Sequence, residues 1–188
     1  MHTALLIIDI QNDYFPGGTM ELVGADAASR QAKLLLDAWR ANNLPVFHVQ
    51  HIAPQPDATF FRPNTVGAQI HENMVPIAGE TLITKATPNS FHDTSLLESL
   101  RAAHITHLVV VGMMTHMCVD STVRAASDLG FVCQVVHDAC ATRDLTFGVH
   151  TVPAATVQAT FMAALNGTFC SMALTAQVLD DLPTPSIT

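Results

Sequence analysis

The sequence predicts a three-layer α/β/α domain built on a parallel sheet. Three observations carry that expectation. Short runs rich in Val, Ile and Leu recur without alternation, amphipathic stretches separate them, and the two kinds of segment alternate along all 188 residues. Strands covered on both faces read as continuous apolar runs, and strand–helix alternation builds a parallel sheet with helices on either side.

The first strand, residues 4–8, ends at Asp9. Asp26 is placed to cap a helix over 27–42, with Leu34, Leu35 and Ala38 on its apolar side. Residues 44–49 form the second strand. The stretch 52–79 is irregular and carries Pro54, Pro56, Pro63 and Pro76; loops of such length in a compact domain serve as lids or packing arms. Residues 81–84 read as the third strand, 95–103 as the second helix and 107–111 as the fourth strand. A third helix runs from about 115 to 129 and is closed by Gly130. Residues 131–136 form the fifth strand and 138–152 a second long connection. Pro153 suits the first turn of a fourth helix reaching Leu165, where Asn166-Gly167 ends it. With no internal repeat and no low-complexity linker, residues 1–188 are expected to form one domain.

Composition narrows the function. Nearly half the chain is apolar (49%) and only 13% is charged, enough to build a core and too ordered in pattern for a disordered chain. A net charge of −8 opposes a nucleic-acid or anionic-membrane partner, either of which needs a basic face. The N-terminus lacks a basic region, and the apolar run 4–8 is too short for a signal segment or a membrane span. Cys118, Cys133, Cys140 and Cys170 show no paired spacing, so reduced thiols in a cytoplasmic setting are expected.

Ligands of open parallel sheets sit beyond the carboxyl ends of the strands, which selects Asp9, Lys85 and the segment 112–118. Asp9 closes an apolar strand, where a poorly solvated carboxylate is suited to accept a proton; alternatively it caps the turn. Lys85 leaves the third strand before Ala86-Thr87-Pro88, where a lysine can also simply be solvated. Cys118 falls in the first turn of a helix, whose dipole favours thiolate and whose free N–H groups could hold an oxyanion. Cys133, Cys140 and Cys170 read as structural core thiols, the common fate of cysteine. A base, a cation and a thiol at neighbouring strand ends form a kit for acyl transfer. A doubly wound domain can equally bind a small ligand or a protein without catalysis.

Three segments resemble isochorismatase-like hydrolases. Leu6-Ile7-Ile8-Asp9-Ile10-Gln11-Asn12-Asp13-Tyr14-Phe15 is similar to their opening motif, and Lys85 followed by Asn89-Ser90-Phe91 and Thr94 to their lysine segment. Gly112-Met113-Met114-Thr115-His116-Met117-Cys118-Val119 resembles their nucleophile segment, continued by Ser121, Ala125 and Gly130, and Asp138-Ala139-Cys140 also fits. The resemblance implies a six-stranded parallel sheet, an Asp9–Lys85–Cys118 triad, a homodimer or larger oligomer, and a cis Met113–Met114 peptide. It also implies an oxyanion hole formed by the Met114 and Cys118 N–H groups. Presence of the cysteine points to the amidohydrolase branch, which cleaves C–N bonds of small amide, ureido or carbamoyl molecules through a thioester and without a cofactor. Gln11, Tyr14, Phe15 and His116 are the expected substrate-binding residues. Nicotinamidases in this superfamily carry an Asp-x-His metal element after strand two. Here the stretch reads Phe47-His48-Val49-Gln50-His51-Ile52-Ala53, without the aspartate, so no metal site is expected although His48, His51 and His71 are imidazoles of the kind zinc uses.

Overall fold

The computed structural model describes residues 2–182. Six parallel strands make the main sheet: β1 (Thr3–Ile8), β2 (Val46–His51), β3 (Thr81–Lys85), β4 (His107–Met113), β5 (Val132–Ala141) and β8 (Ser171–Ala173). Between β5 and β8 lies a separate antiparallel hairpin of β6 (Leu145–Phe147) and β7 (His150–Val152). The spatial order is β3-β2-β1-β4-β5-β8, so the chain winds outward from β1 and then returns to β1's other side as β4. The crevice beyond β1 and β4 is therefore the topological switch point, where ligands of such sheets bind.

Period-two alternation divides β1 between two cores. Leu5 and Ile7 pack towards α1 (Ala25–Ala41) and α5 (Thr175–Asp180), with Leu35, Leu36, Trp39 and Val178. Ala4, Leu6 and Ile8 face α2 (Leu96–Ala102), α3 (Asp120–Asp128) and α4 (Ala154–Leu165), with Leu96, Leu100, Val123 and Leu165. The result is the expected α/β/α sandwich. Among the described residues no helix is long and apolar enough to cross a membrane.

Several local expectations are corrected. Helix α1 begins at Ala25 with Gly24 in a left-handed conformation as its N-cap, so Asp26 sits inside the first turn and meets the dipole rather than capping. Its buried stripe runs through Ala28, Ala32, Leu35, Leu36 and Trp39, which leaves Leu34 51% exposed. Strand β3 is an edge strand and alternates in burial, with Leu82 46% exposed. Pro153 is the N-cap of α4 rather than a residue of its first turn. The connection 138–152 is largely strand: β5 shifts register against β4, so that Cys140 and Ala141 pair with Gly112 and Met113. Thr142 and Arg143 thereby follow β5 at the end of β4.

Candidate active site

Asp9 leaves β1 in a left-handed conformation (φ 50°), with its N–H donating to Val49 O at 3.0 Å. Its side chain thereby turns into the switch-point crevice, where Lys85 Nζ lies 2.7 Å from Oδ2. Both side chains are wholly buried. Lys85 also donates to Pro88 O at 2.8 Å, which fixes the ammonium at the strand end. Burial works against that charge, but Asp9 and then Cys118 outweigh it and hold the lysine pKa above its ordinary value. Asp9 Oδ1 accepts no hydrogen bond among the described residues and stays available for a proton.

Gly112 has φ 139°, and a Cβ there would run into the backbone of Ile8. Glycine is thus required where β4 presses against the end of β1. The Met113–Met114 peptide beyond it is cis, as the family resemblance implies. The Met114 N–H donates to no acceptor among the described residues. The chain then forms a π-helical turn, Thr115–Val119, before α3 begins. Met114 O accepts from Met117 N and Val119 N, and Thr115 Oγ1 donates to Gln158 Oε1 at 2.6 Å and to Ala141 O at 3.2 Å. The turn that carries Cys118 is therefore bolted to both α4 and β5.

Cys118, on that turn, is 3% exposed, and its Sγ, a carboxylate oxygen of Asp9 and a ring nitrogen of His51 lie within 4.8 Å of one another. Other influences on this thiol oppose the expected pull of the helix start toward thiolate. Burial first, then the Asp9 carboxylate, push the thiol pKa well up, and Lys85 only partly opposes them. The resting sulfur is a thiol whose proton must be taken by a neighbour. The other three cysteines are buried and free, with burial raising Cys133 and Cys140 to about 12 and Cys170 to about 11.

The expected substrate-binding residues separate into two groups. Tyr14, 1% exposed and edge-on to Phe61 at 4.7 Å, lies close enough for Cys118 and Asp9 to add to burial in raising its phenol pKa. It remains a neutral donor. His116, two residues before Cys118, bonds Thr142 Oγ1 at 2.7 Å and meets Phe161 edge-on. Burial and Arg143 lower its pKa, so it is neutral as well. Gln11 does not line a pocket. It is fully buried, and its amide donates to His51 O and Ala68 O while accepting from His51 N, all at 2.8 Å. Two of those bonds clamp the end of β2 and one ties down the loop 52–79, so the amide is consumed by backbone. Phe15 stacks on His71 with centroids 3.6 Å apart and faces a cavity of about 640 Å³ lined by Thr19, Phe60, Arg62 and Val66, whose lining does not include Asp9, Lys85 or Cys118.

The three histidines weighed as metal ligands are likewise apart. His48 is buried against Glu80 at 2.8 Å, and His71 accepts from Asn73 N beside Phe15. Of the three, only His51 reaches Asp9 and Cys118, and Lys85 is the cation paired with Asp9 there. His51 as a member of the site was missed because the second strand was read as ending at 49. It extends to His51, which pairs in register with Lys85, and the strand-end rule applied to the longer strand selects it.

Residues 3–167 match the isochorismatase domain family. The chain is 51% identical over 179 residues to the uncharacterised isochorismatase family protein YddQ of Bacillus subtilis (strain 168), covering 95% of this chain and 99% of that one. It is 28% identical over 172 residues to the ureidoacrylate amidohydrolase RutB of Enterobacter sp. (strain 638), covering 73% and 74%. The fold superposes on the crystal structure of a candidate isochorismatase hydrolase from Oleispira antarctica with a TM-score of 0.92 at 47% identity, covering 95% and 96%.

Proposed function

From the premise that the chain belongs to the isochorismatase family, we propose that it hydrolyses a C–N bond of a small amide, ureido or carbamoyl compound through a thioester on Cys118. The family is hydrolytic, and the similarity to an amidohydrolase supports the bond class. The observation that carries the reading is the buried Asp9–Lys85 pair set against the Cys118 thiol, with one carboxylate oxygen left unpartnered.

Asp9 takes the thiol proton as sulfur attacks the substrate carbonyl carbon. Lys85 stabilises the anions without supplying a proton. The tetrahedral oxyanion lies between the N–H groups of Met114 and Cys118, each contributing about 3 kcal/mol by analogy with single-donor removals. Collapse breaks the C–N bond, and the amine leaves with the proton held by Asp9. Water then attacks the thioester, its proton passing to Asp9, and the C–S bond breaks to restore the thiol. Tyr14 and His116 are neutral groups able to donate to or accept from the substrate. Every step uses side chains and backbone of this chain.

The test is a screen of small primary amides, ureides and carbamoyl compounds read by ammonia release. Release that depends on Cys118 supports the reading. Turnover confined to a vinyl ether, with no ammonia from any C–N compound, overturns it in favour of isochorismatase-type chemistry.

A further inference from the structure

His51 has no part in the steps above, yet its ring nitrogen lies within 4.8 Å of both the Asp9 carboxylate and Cys118 Sγ. Two hydrogen bonds of about 2.8 Å meeting at a near-tetrahedral oxygen hold their outer atoms about 4.6 Å apart. The three atoms are thus close enough to share a single water. In the same two side chains, Asp9 Oδ1 and His51 Nδ1 are buried without a hydrogen-bond partner among the described residues. Buried polar atoms that converge without protein partners are where a water of two to four hydrogen bonds belongs.

The position of His51 is enforced. Gln11 grips its backbone at both N and O, each at 2.8 Å, and Ile52 N donates to Lys85 O at 2.9 Å just beyond. Phe61 backs the ring at 5.6 Å. Burial lowers the His51 pKa, with Asp9 opposing, so the ring is neutral and offers one donor and one acceptor. Lys85 serves differently: its ammonium already meets Asp9 and Pro88 O and can donate to a water but never accept from one.

We propose that His51 holds the water that cleaves the acyl-enzyme, presenting it to Asp9 and to the carbonyl carbon carried by Cys118. This rests on the thioester reading above and adds a residue to its second half. The water oxygen bonds to the thioester carbon while one of its protons passes to Asp9. The C–S bond breaks, sulfur departs as thiolate beside Lys85 and recovers the proton from Asp9, and the product leaves as the carboxylic acid. His51 neither gains nor loses a proton overall; it fixes where the water's lone pair points.

The test uses the full-length enzyme with p-nitrophenyl acetate as the acylating probe. Nitrophenolate release and the mass of the acetylated Cys118 peptide are followed after acid quench. In His51→Ala the nitrophenolate burst should persist at close to the wild-type rate. Acetyl loss should slow on the order of 10²-fold, the lower end of what a positioned proton-transfer partner supplies. The variant's kcat therefore falls while kcat/KM does not. His51→Asn, which keeps a polar group in the same strand position, should recover part of the deacylation rate. Hydroxylamine, which needs no oriented water, should release the acetyl group in both variants. Acetyl-Cys118 decaying at the wild-type rate in His51→Ala would overturn the proposal, as would burst and decay slowing together. A wild-type enzyme never acetylated at Cys118 would remove the nucleophile itself, and this inference with it.

Discussion

Lys85 Nζ sits 2.7 Å from Asp9 Oδ2, with neither side chain touching solvent. Two charges withdrawn from water repay their desolvation only by facing each other, and removing one strands the other. Lys85→Met should therefore destabilise the fold by about 3–5 kcal/mol. The sign with pH follows from the raised lysine pKa. The stabilisation is complete below the ordinary lysine value of 10.5 and is lost only as pH rises through the higher folded value. Urea midpoints of wild type and variant should differ by a constant amount through neutral pH and converge only in the alkaline range.

Thiol reactivity gives a prediction of opposite sign to the loss of activity. Because burial and then Asp9 raise the Cys118 pKa, iodoacetamide should modify Cys118 slowly at pH 7. Asp9→Asn removes the carboxylate that disfavours thiolate, so alkylation of Cys118 should quicken while turnover disappears. Peptide mapping across pH checks both halves; slower alkylation in Asp9→Asn would show that Asp9 activates the resting thiol directly.

Far from the catalytic group, Arg40 grips Glu80 through Nε and Nη2 at 2.7 and 2.9 Å, while His48 and Ile77 N–H complete its contacts. Burial alone would raise the Glu80 pKa, but Arg40, Ile77 and His48 together hold it at about 2. Such a depressed carboxylate stabilises above its unfolded pKa and loses its contribution as pH falls through the folded one. Glu80→Gln should cost about 2 kcal/mol at neutral pH. The gap should shrink between pH 4.5 and about 2, as read by thermal melts at stepped pH.

Gly112 is the backbone position where β4 meets Ile8. Gly112→Ala must adopt an unfavourable φ and push the two central strands apart, at a cost of about 3 kcal/mol. Ammonia-releasing activity should fall further than the melting temperature suggests, since Met114 and Cys118 move with β4. Full activity in a folded Gly112→Ala protein would detach the oxyanion geometry from this contact.

The central strands were legible because β1 and β4 are apolar throughout, and the strand-end rule then led directly to Asp9, Lys85 and Cys118. What escaped depends on neighbours distant in sequence. Strand β8 is only Ser171–Ala173, too short to signal itself, and the edge position of β3 is a matter of sheet order. Gln11 looked like a pocket residue because it follows Asp9, whereas its partners His51 and Ala68 lie 40 and 57 residues away. The Cys118 thiol was expected to feel a helix end; how deeply that end is buried, and that Asp9 faces the sulfur, emerge only when four strand ends are assembled.

The most direct measurement is to find which atom carries the acyl group during turnover. Wild-type enzyme is mixed with whichever amide, ureide or carbamoyl compound releases ammonia, quenched in acid within the first turnovers, and mapped by peptide mass. The substrate's acyl group should appear on the peptide containing Cys118 and on no other cysteine, and Cys118→Ala should melt like wild type while releasing no ammonia. Ammonia released at the wild-type rate by folded Cys118→Ala would contradict a cysteine nucleophile outright.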